Sequence, residues 1–456
     1  MANLADPLRA PLELPCGKTL GTRIIKGATT EYSADEYGCA NEKHVRLYSA
    51  WAANDFGIQI VGQFMVDHRY MEAATNVVID DKSPHTMAPA HLDTLKRVAS
   101  ARNGGSSPDN QLMVVQLSHP GRQSRPICST ESIGVSPDKP VLLFGAAVAP
   151  LRKEALSVKE IDETIHKYVH AATTLQACGF DGVQIHCGHG YLGHQFLSPI
   201  TNVRTDAYGG SVEKRAKWIC DLCDAMRAAC GPKFVIGVRI SAQDFEPGGN
   251  TAKDTAKVCA MLDARKVDFI EVSGGSSENL VPLCGTYMSR DYRPRLWNYV
   301  KYCLVFLAFC TALLVPLALG FLALAFYLHL NPGVPPEGWF LADALEIKRL
   351  AKPKHTKIGT VGGFYTRHAM EDALKKGVDF VSVCSTIVYD PVSTRGRKLE
   401  TANCARFLRL TNPPFASPCV GSMRSRSSSS DRLRKCSIQC TTMASSSLAS
   451  PSSSVS

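Results

Sequence analysis

Eight short runs of apolar and β-branched residues recur along the chain, and amphipathic stretches with helical spacing lie between them. The runs predict strands at Arg23–Gly27, Gly57–Gly62, Leu112–Ser118, Gly182–His186, Phe234–Ser241, Asp268–Gly274, Ile358–Gly363 and Asp379–Cys384. Strands that alternate with helices favour a parallel sheet, and eight such units are what a closed barrel needs. We therefore predict an α/β protein built on a (β/α)8 TIM barrel. A doubly wound open sheet is the alternative.

Composition and charge narrow the class of protein further. Hydrophobic residues make up 45% and charged residues 20% of the 456, which is typical of a globular protein with a sizeable core. Part of the net charge of +10 lies in 421–456, and the rest forms no basic stripe, so we expect no nucleic-acid partner. The 17 cysteines are scattered. Cys220 and Cys223 lie within a predicted helix, which indicates buried thiols rather than a redox motif.

One apolar segment interrupts the barrel pattern. Tyr302–Pro336 contains no Asp, Glu, Lys or Arg, and its core, Cys303–Leu328, would be about 39 Å long as one helix. The hydrocarbon core of a bilayer is about 30 Å thick. Because one barrel cannot close across a bilayer, we predict a membrane-like helical insert that forms a hairpin, kinked near Pro316 and Gly320, or lies in the membrane plane. A single transmembrane helix with a broken barrel, a buried helix and retained non-coding sequence are the alternatives.

These segments define the predicted domain organisation. Residues 12–290 form the first six strands of the barrel, 302–336 the insert and 338–410 the last two strands. Residues 412–456 are rich in serine and poor in large apolar side chains, so we predict a disordered tail. We expect a membrane-associated protein with the barrel on the cytosolic side, or a cytoplasmic protein if the insert is not a membrane segment.

The fourth predicted strand leads into the most chemically informative motif. In barrels of this type the active site lies at the C-terminal ends of the strands. The motif HCGHGY places His186, His189 and Tyr191 at such an end. The imidazoles can donate to one carbonyl oxygen, and the phenol can act as a proton donor. A metal site that includes His194 and a purely structural turn are the alternatives. We predict no metal, because no carboxylate or thiolate ligand has a usual spacing beside them.

The other strand ends supply hydrogen-bond donors and one cation rather than a cluster of carboxylates. They include Thr30, Gly62, Gln116 and Arg239. Such a set suits a planar cofactor with carbonyls and ring nitrogens, together with a substrate carbonyl. Gly362 and Gly363 follow the seventh strand and precede a helix, which is where phosphate groups bind in these barrels.

Four stretches of the chain carry a resemblance to a known family. They are VQLSHPGRQS (Val115–Ser124), GFDGVQIHCGHGYLGHQFLSPITNVRTDAYGGSVEKR (Gly179–Arg215), IGVRIS (Ile236–Ser241) and DFIEVSGG (Asp268–Gly275). From Leu14 to about Pro391, apart from the insert, the chain resembles the old yellow enzyme family of FMN-dependent oxidoreductases, of the NADH:flavin oxidoreductase / NADH oxidase type. The resemblance implies a barrel that binds FMN, which is reduced by NADH or NADPH and reoxidised by an activated alkene.

The resemblance also implies roles for individual residues. The residues implied to bind the flavin ring are Gln116 at the pyrimidine edge, Arg239 at the N1–C2=O end, Thr30 beside the C4 oxygen and Gly62 over the ring. His186 and His189 are implied to bind the substrate carbonyl. Tyr191 is implied to protonate Cα after hydride passes from flavin N5 to Cβ.

One position departs from the family's pattern. After the eighth strand the family usually has Gly-Arg, whose arginine binds the FMN phosphate, whereas this chain has Cys384-Ser385. The loss of a charge-assisted contact costs roughly 1.5–3 kcal/mol. Ser385 is therefore the residue expected near the phosphate, together with Gly362 and Gly363.

The sequence thus predicts an FMN-dependent oxidoreductase that takes hydride from NAD(P)H. Its expected substrates are α,β-unsaturated carbonyl compounds, small molecules whose activated C=C bond is reduced. If the insert binds a membrane, lipophilic enones are favoured. The alternative is a catalytically weakened, membrane-attached barrel that acts as a binding or scaffold protein.

Overall fold

The computed structural model describes residues 6–102, 111–137, 154–275 and 337–384. The predicted insert at 302–336, the predicted tail at 412–456 and Ser385 lie outside these residues. The predicted domain boundaries therefore stay predictions.

Eight parallel strands close into a barrel. The strands of the described residues are β1 (Leu12–Glu13), β2 (Thr19–Leu20), β3 (Ile24–Lys26), β4 (Ile58–Met65), β5 (Val77–Val78), β6 (Leu112–Ser118), β7 (Gly182–Cys187), β8 (Val235–Ser241), β9 (Phe269–Ser273), β10 (Lys357–Val361) and β11 (Val381–Val383). The barrel runs β3, β4, β6, β7, β8, β9, β10, β11 and back to β3. The pairing of β3 with both β4 and β11 confirms the predicted (β/α)8 barrel and rules out the open sheet.

Helices separate the barrel strands. They are α1 (Glu42–Trp51), α2 (Pro89–Ala99), α3 (Val158–Ala177), α4 (Leu192–Leu197), α5 (Val212–Arg215), α6 (Lys217–Cys230), α7 (Ala252–Ala264), α8 (Leu341–Ala351) and α9 (Arg367–Lys376). Local signals fix several helix starts: Ser157 caps α3 with Glu160 in a capping box, and Thr251 caps α7 with Asp254 in the same way. Among the described residues, the structure contains no helix with the length and apolar character needed to span a membrane.

The barrel interior is apolar at its N-terminal end. One buried cluster joins β1 and β2 to inward side chains of the barrel strands: Leu12, Leu14, Leu20, Ile25, Ala28, Ile58, Ile60, Leu112, Val114, Val235, Phe269 and Phe380. The β1–β2 hairpin lies at this end, because the Cys16 N–H donates to Asp268, which immediately precedes β9. Side chains alternate along a strand, so residues two and four positions beyond this cluster also point inward, nearer the C-terminal end.

A second and larger cluster packs the helices against the outside of the barrel. Trp218 of α6, for example, packs edge-on against Tyr168 of α3, and both side chains are buried. Cys220 and Cys223 lie in α6 and are buried free thiols, which confirms the interpretation of their spacing as core packing. The helical layer therefore leaves the strand ends as the place for chemistry.

Candidate active site

Three aromatic side chains meet at the end of β7. The His186 ring lies edge-on to the His189 ring with centroids 5.0 Å apart, and edge-on to the Tyr191 ring at 4.9 Å. The turn that brings them together is tight, with φ +60° at His189 and +81° at Gly190. Few residues other than glycine adopt this conformation readily, so the backbone here is shaped at some energetic cost. The structure thus groups the three residues that the motif singled out.

The two imidazoles are held neutral. Burial, followed by the positive charge of Arg239, holds the pKa of both His186 and His189 well below the usual value. The Gly188 N–H donates to His186 Nδ1 at 3.2 Å, so the ring proton of His186 lies on Nε2. His189 Nε2 lies 2.9 Å from Ser273 Oγ. His186 can therefore donate a hydrogen bond through Nε2 to a ligand oxygen.

Tyr191 is held protonated. Burial, and then the nearby carboxylate of Glu72, raise the pKa of the phenol well above its usual value. Gln63 Nε2 donates to the phenol oxygen at 3.3 Å and to Glu72 Oε2 at 2.6 Å. Sequence analysis missed Gln63 and Glu72. Gln63 directly follows Gly62 in β4 and could have been found by extending that strand, whereas no motif marks Glu72.

A chain of polar side chains crosses the barrel interior below the histidines. Gln116 of β6 donates to Gln184 of β7 at 2.7 Å, and Gln184 donates to Glu271 of β9 at 3.1 Å. Arg239 of β8 lies with Nε 3.6 Å from Glu271 Oε2, and it is paired in register with His186. The predicted residues Gln116 and Arg239 are thus connected through two residues that the sequence analysis did not select.

Gly62 lies inside β4 with a positive φ of +98°. A Cβ at this position would come within 2.8 Å of the Phe64 backbone nitrogen, so only glycine fits. Its N–H donates to Glu31 Oε1 at 2.9 Å, and Glu31 also accepts from Tyr48. Thr30 is half-buried and directly precedes Glu31. The structure therefore places both predicted residues beside a carboxylate that the sequence analysis overlooked.

Gly362 and Gly363 follow β10 and precede α9, as predicted. Both have positive φ, and a Cβ on Gly363 would meet nothing within 4 Å. The N–H groups of Tyr365 and Thr366, which immediately precede α9, donate to the carboxylate of Glu337 at 2.7 Å each. An anion bound here would therefore use the backbone of the glycine pair rather than these two N–H groups.

The third histidine of the motif region supports the loop. Both ring nitrogens of His194 are engaged: Nδ1 accepts from the Gly190 N–H at 2.8 Å, and Nε2 lies 2.8 Å from Asp244 Oδ1. Within the described residues, the group of side chains close enough to share a metal ion is instead Asp67, His68 and Asp80. In that group Asp80 already forms an ion pair with Lys167, whose Nζ lies 2.8 Å away.

Known proteins resemble this chain in both sequence and fold. Residues 7–281 match the NADH:flavin oxidoreductase / NADH oxidase family. The NADH-dependent flavin oxidoreductase iliE of Neonectria sp. is 32% identical over 292 residues, which are 61% of this chain and 37% of that protein. The NADH-dependent flavin oxidoreductase nadA of Aspergillus parasiticus is 30% identical over 283 residues, 60% of this chain and 62% of that protein. The chain thus spans about a third and three fifths of these two relatives.

Solved structures share the barrel. An old yellow enzyme homologue from Zymomonas mobilis superposes with a TM-score of 0.59 and 20% identity, covering 84% of this chain and 90% of that chain. A 2-naphthoyl-CoA reductase in complex with 2-naphthoyl-CoA gives a TM-score of 0.65 at 20% identity, covering 85% of this chain and 51% of that chain. At this identity the likeness establishes the fold.

Proposed function

Since the chain belongs to the NADH:flavin oxidoreductase / NADH oxidase family, we propose that it is an FMN-dependent oxidoreductase that takes hydride from NADH or NADPH and reduces the activated C=C bond of α,β-unsaturated carbonyl compounds. The observation that carries this proposal is the group of His186, His189 and Tyr191 at the end of β7, in which the His186 ring lies about 5 Å from each of the other two rings. Neutral imidazoles beside a protonated phenol are suited to binding a carbonyl and protonating the adjacent carbon.

The residues present fit FMN. Arg239 Nε is buried and has no hydrogen-bond partner among the described residues, which favours a ligand acceptor at this position. Gln116 and Arg239 would hold the pyrimidine side of the ring, and the glycine pair Gly362–Gly363 would hold the phosphate end. When bound, FMN supplies two-electron hydride chemistry between NAD(P)H and the alkene.

The protein's own residues would prepare the alkene for reduction. His186 would donate from Nε2 to the substrate carbonyl oxygen, which withdraws electrons from the conjugated C=C bond. Because burial and the charge of Arg239 hold the pKa of His186 down, it polarises the carbonyl as a neutral donor. Tyr191, whose pKa is raised by burial, would keep its proton until Cα develops negative charge, and then donate it there.

Spectroscopy of each half of the reaction tests this proposal. Purified protein should show the visible absorption of an oxidised flavin, which bleaches with NADPH and returns when an enone such as 2-cyclohexenone is added. In Tyr191→Phe, bleaching should be unchanged, and the return should slow by about 10²- to 10⁴-fold because the proton donor is lost. A preparation that stays colourless in excess FMN would contradict the cofactor, and equal slowing of both steps would contradict the role of Tyr191.

We further propose that the protein attaches to a membrane through Tyr302–Pro336. The support is compositional, since this segment has no charged residue and is long enough to bury apolar surface in lipid. It would place the barrel on the cytosolic side and favour lipophilic enones as substrates.

A further inference from the structure

A hydrogen-bonded path connects Tyr191 to the protein surface. Glu72 Oε2 accepts from Gln63 Nε2 at 2.6 Å, and Gln63 Nε2 also donates to the Tyr191 hydroxyl at 3.3 Å. On its other oxygen, Glu72 Oε1 accepts from the Tyr32 hydroxyl at 3.2 Å. Tyr32 is 55% exposed, whereas Gln63 is 4% exposed. Glu72 therefore lies between a hydroxyl in contact with solvent and the proposed proton donor.

The proposed reaction requires Tyr191 to regain a proton after each turnover. A bound substrate must cover the part of Tyr191 that transfers the proton, so bulk water is displaced from that side. Once Tyr191 has lost its proton, a phenolate and the Glu72 carboxylate would stand next to each other. Like charges at short distance are unfavourable, and uptake of one proton by the pair removes the repulsion.

We propose that Glu72 returns a proton to Tyr191 after each turnover and that Gln63 positions the two groups; this rests on the proposed function. In each turnover the Tyr191 O–H bond breaks and a C–H bond forms at Cα. The Glu72 carboxylate then takes up a proton from the Tyr32 hydroxyl, which regains one from water. Glu72 passes this proton to the phenolate oxygen and becomes a carboxylate again. The path moves protons only, so it needs no oxidant or reductant of its own.

Other charged and titratable side chains near this path bear on its pH dependence. Among the described residues, the groups near this path include His186, whose ring contacts the Tyr191 ring, and Arg125 and Cys128, which interact with Tyr32 and Glu72. Burial lowers the pKa of His186 and raises the pKa of Cys128, so both are neutral near pH 7. Changes in rate between pH 6 and 9 on replacing Glu72 therefore report on the path itself.

The test compares the two halves of the reaction in Glu72→Gln. Reduction of the flavin by NADPH needs no proton from Tyr191, so its rate should be unchanged. Steady-state reduction of 2-cyclohexenone should fall about tenfold or more in kcat with little change in KM, fall further as the pH rises, and show a larger solvent deuterium isotope effect. Turnover with ferricyanide, which accepts electrons alone, should be unchanged. Glu72→Asp should restore part of the rate, and Glu36→Gln, at an exposed position, should match the wild type.

Each other outcome has a definite meaning. If the wild type reduces the enone and Glu72→Gln keeps its rate and pH profile, the relay is contradicted and the proposed function stands. Equal losses with NADPH, enone and ferricyanide assign Glu72 a structural role and also contradict the relay. If the wild type oxidises NADPH but leaves the enone unchanged, the proposed function fails and the relay fails with it. Should Glu72→Gln not fold, Tyr32→Phe breaks the same path at the surface and should show the same pH-dependent loss, and a wild-type profile there would contradict the path.

Discussion

At the scale of single residues, the barrel contains a buried lysine, Lys26. Lys26 is completely buried, and its Nζ donates to the Ile60 carbonyl at 2.9 Å and to Thr29 Oγ1 at 3.0 Å. The rings of Tyr48 and Trp51 lie 5.1 and 4.4 Å from the ammonium nitrogen. Burial lowers the pKa of Lys26 to about 8, against the opposing effect of the Glu31 carboxylate. The aromatic rings and Glu31 therefore offset only part of the cost of desolvating this cation.

This pKa predicts a pH dependence of stability. Below pH 8 both the folded and unfolded chains carry the charge on Lys26, while between pH 8 and the ordinary value of 10.5 only the unfolded chain binds the proton. The free energy of unfolding should therefore rise with pH across this window, by roughly 3 kcal/mol for this one group. Lys26→Met should lack the rise in urea unfolding between pH 7.5 and 10.5, whereas Lys43→Met, at an exposed position, should keep it. Parallel pH profiles for wild type and Lys26→Met would contradict the assignment.

At the scale of elements, the buried pair of His194 and Asp244 holds the loop between β7 and α4 in place. Asp244 accepts from His194 through Oδ1, and through Oδ2 it accepts from the Ser198 hydroxyl at 2.6 Å and the Asn250 N–H at 2.7 Å. His194 in turn fixes Gly190, which lies between the two site residues His189 and Tyr191. Burial opposes ionisation, but the neighbouring His194 ring and these hydrogen bonds hold the pKa of Asp244 below its usual value.

Loss of the Asp244 carboxylate should loosen the loop between β7 and α4 without loss of flavin binding. In Asp244→Asn one amide must replace three accepted hydrogen bonds, so we expect the free energy of unfolding to fall by about 1–3 kcal/mol. Enone turnover should slow because Gly190 and its neighbours lose their fixed position, while flavin absorption stays intact. Thermal unfolding together with the two half-reactions measures this, and Glu246→Gln, two residues away, serves as the matched control. Unchanged turnover in a destabilised variant would show that the loop does not depend on the pair.

Sequence patterns predicted the repeating barrel strands, and they missed residues whose roles depend on contacts with distant parts of the chain. All eight barrel strands overlap their predicted ranges, because buried parallel strands are marked by β-branched runs. The two-residue strands β1, β2 and β5 are too short to show a period. The site residues at strand ends could be selected in the same way, whereas Glu72 lies in a loop and Glu271 sits within an apolar strand. Their roles depend on partners that are distant in sequence, which no local pattern reveals.

At the scale of the whole molecule, barrel closure constrains what the chain between β9 and β10 can do. β9 and β10 are neighbours in the barrel, with Phe269 paired to Lys357. The two described ends of the intervening segment also lie together, because a Cβ on Gly274 would come within 2.3 Å of the Phe340 ring. The segment therefore leaves and returns at one end of the barrel, the end that carries the candidate site.

Replacement of Tyr302–Pro336 by a short Gly/Ser linker should therefore leave the barrel closed. The flavin spectrum, the NADPH-dependent bleaching and the unfolding midpoint should match those of the full chain, because no barrel strand is removed. If the segment attaches the protein to membranes, the full chain should float with phospholipid vesicles in a density gradient, and the shortened chain should stay in the soluble fraction. Flotation of both chains would contradict the attachment through this segment. Loss of flavin binding in the shortened chain would instead show that the segment helps to build the candidate site, which lies at the same end of the barrel.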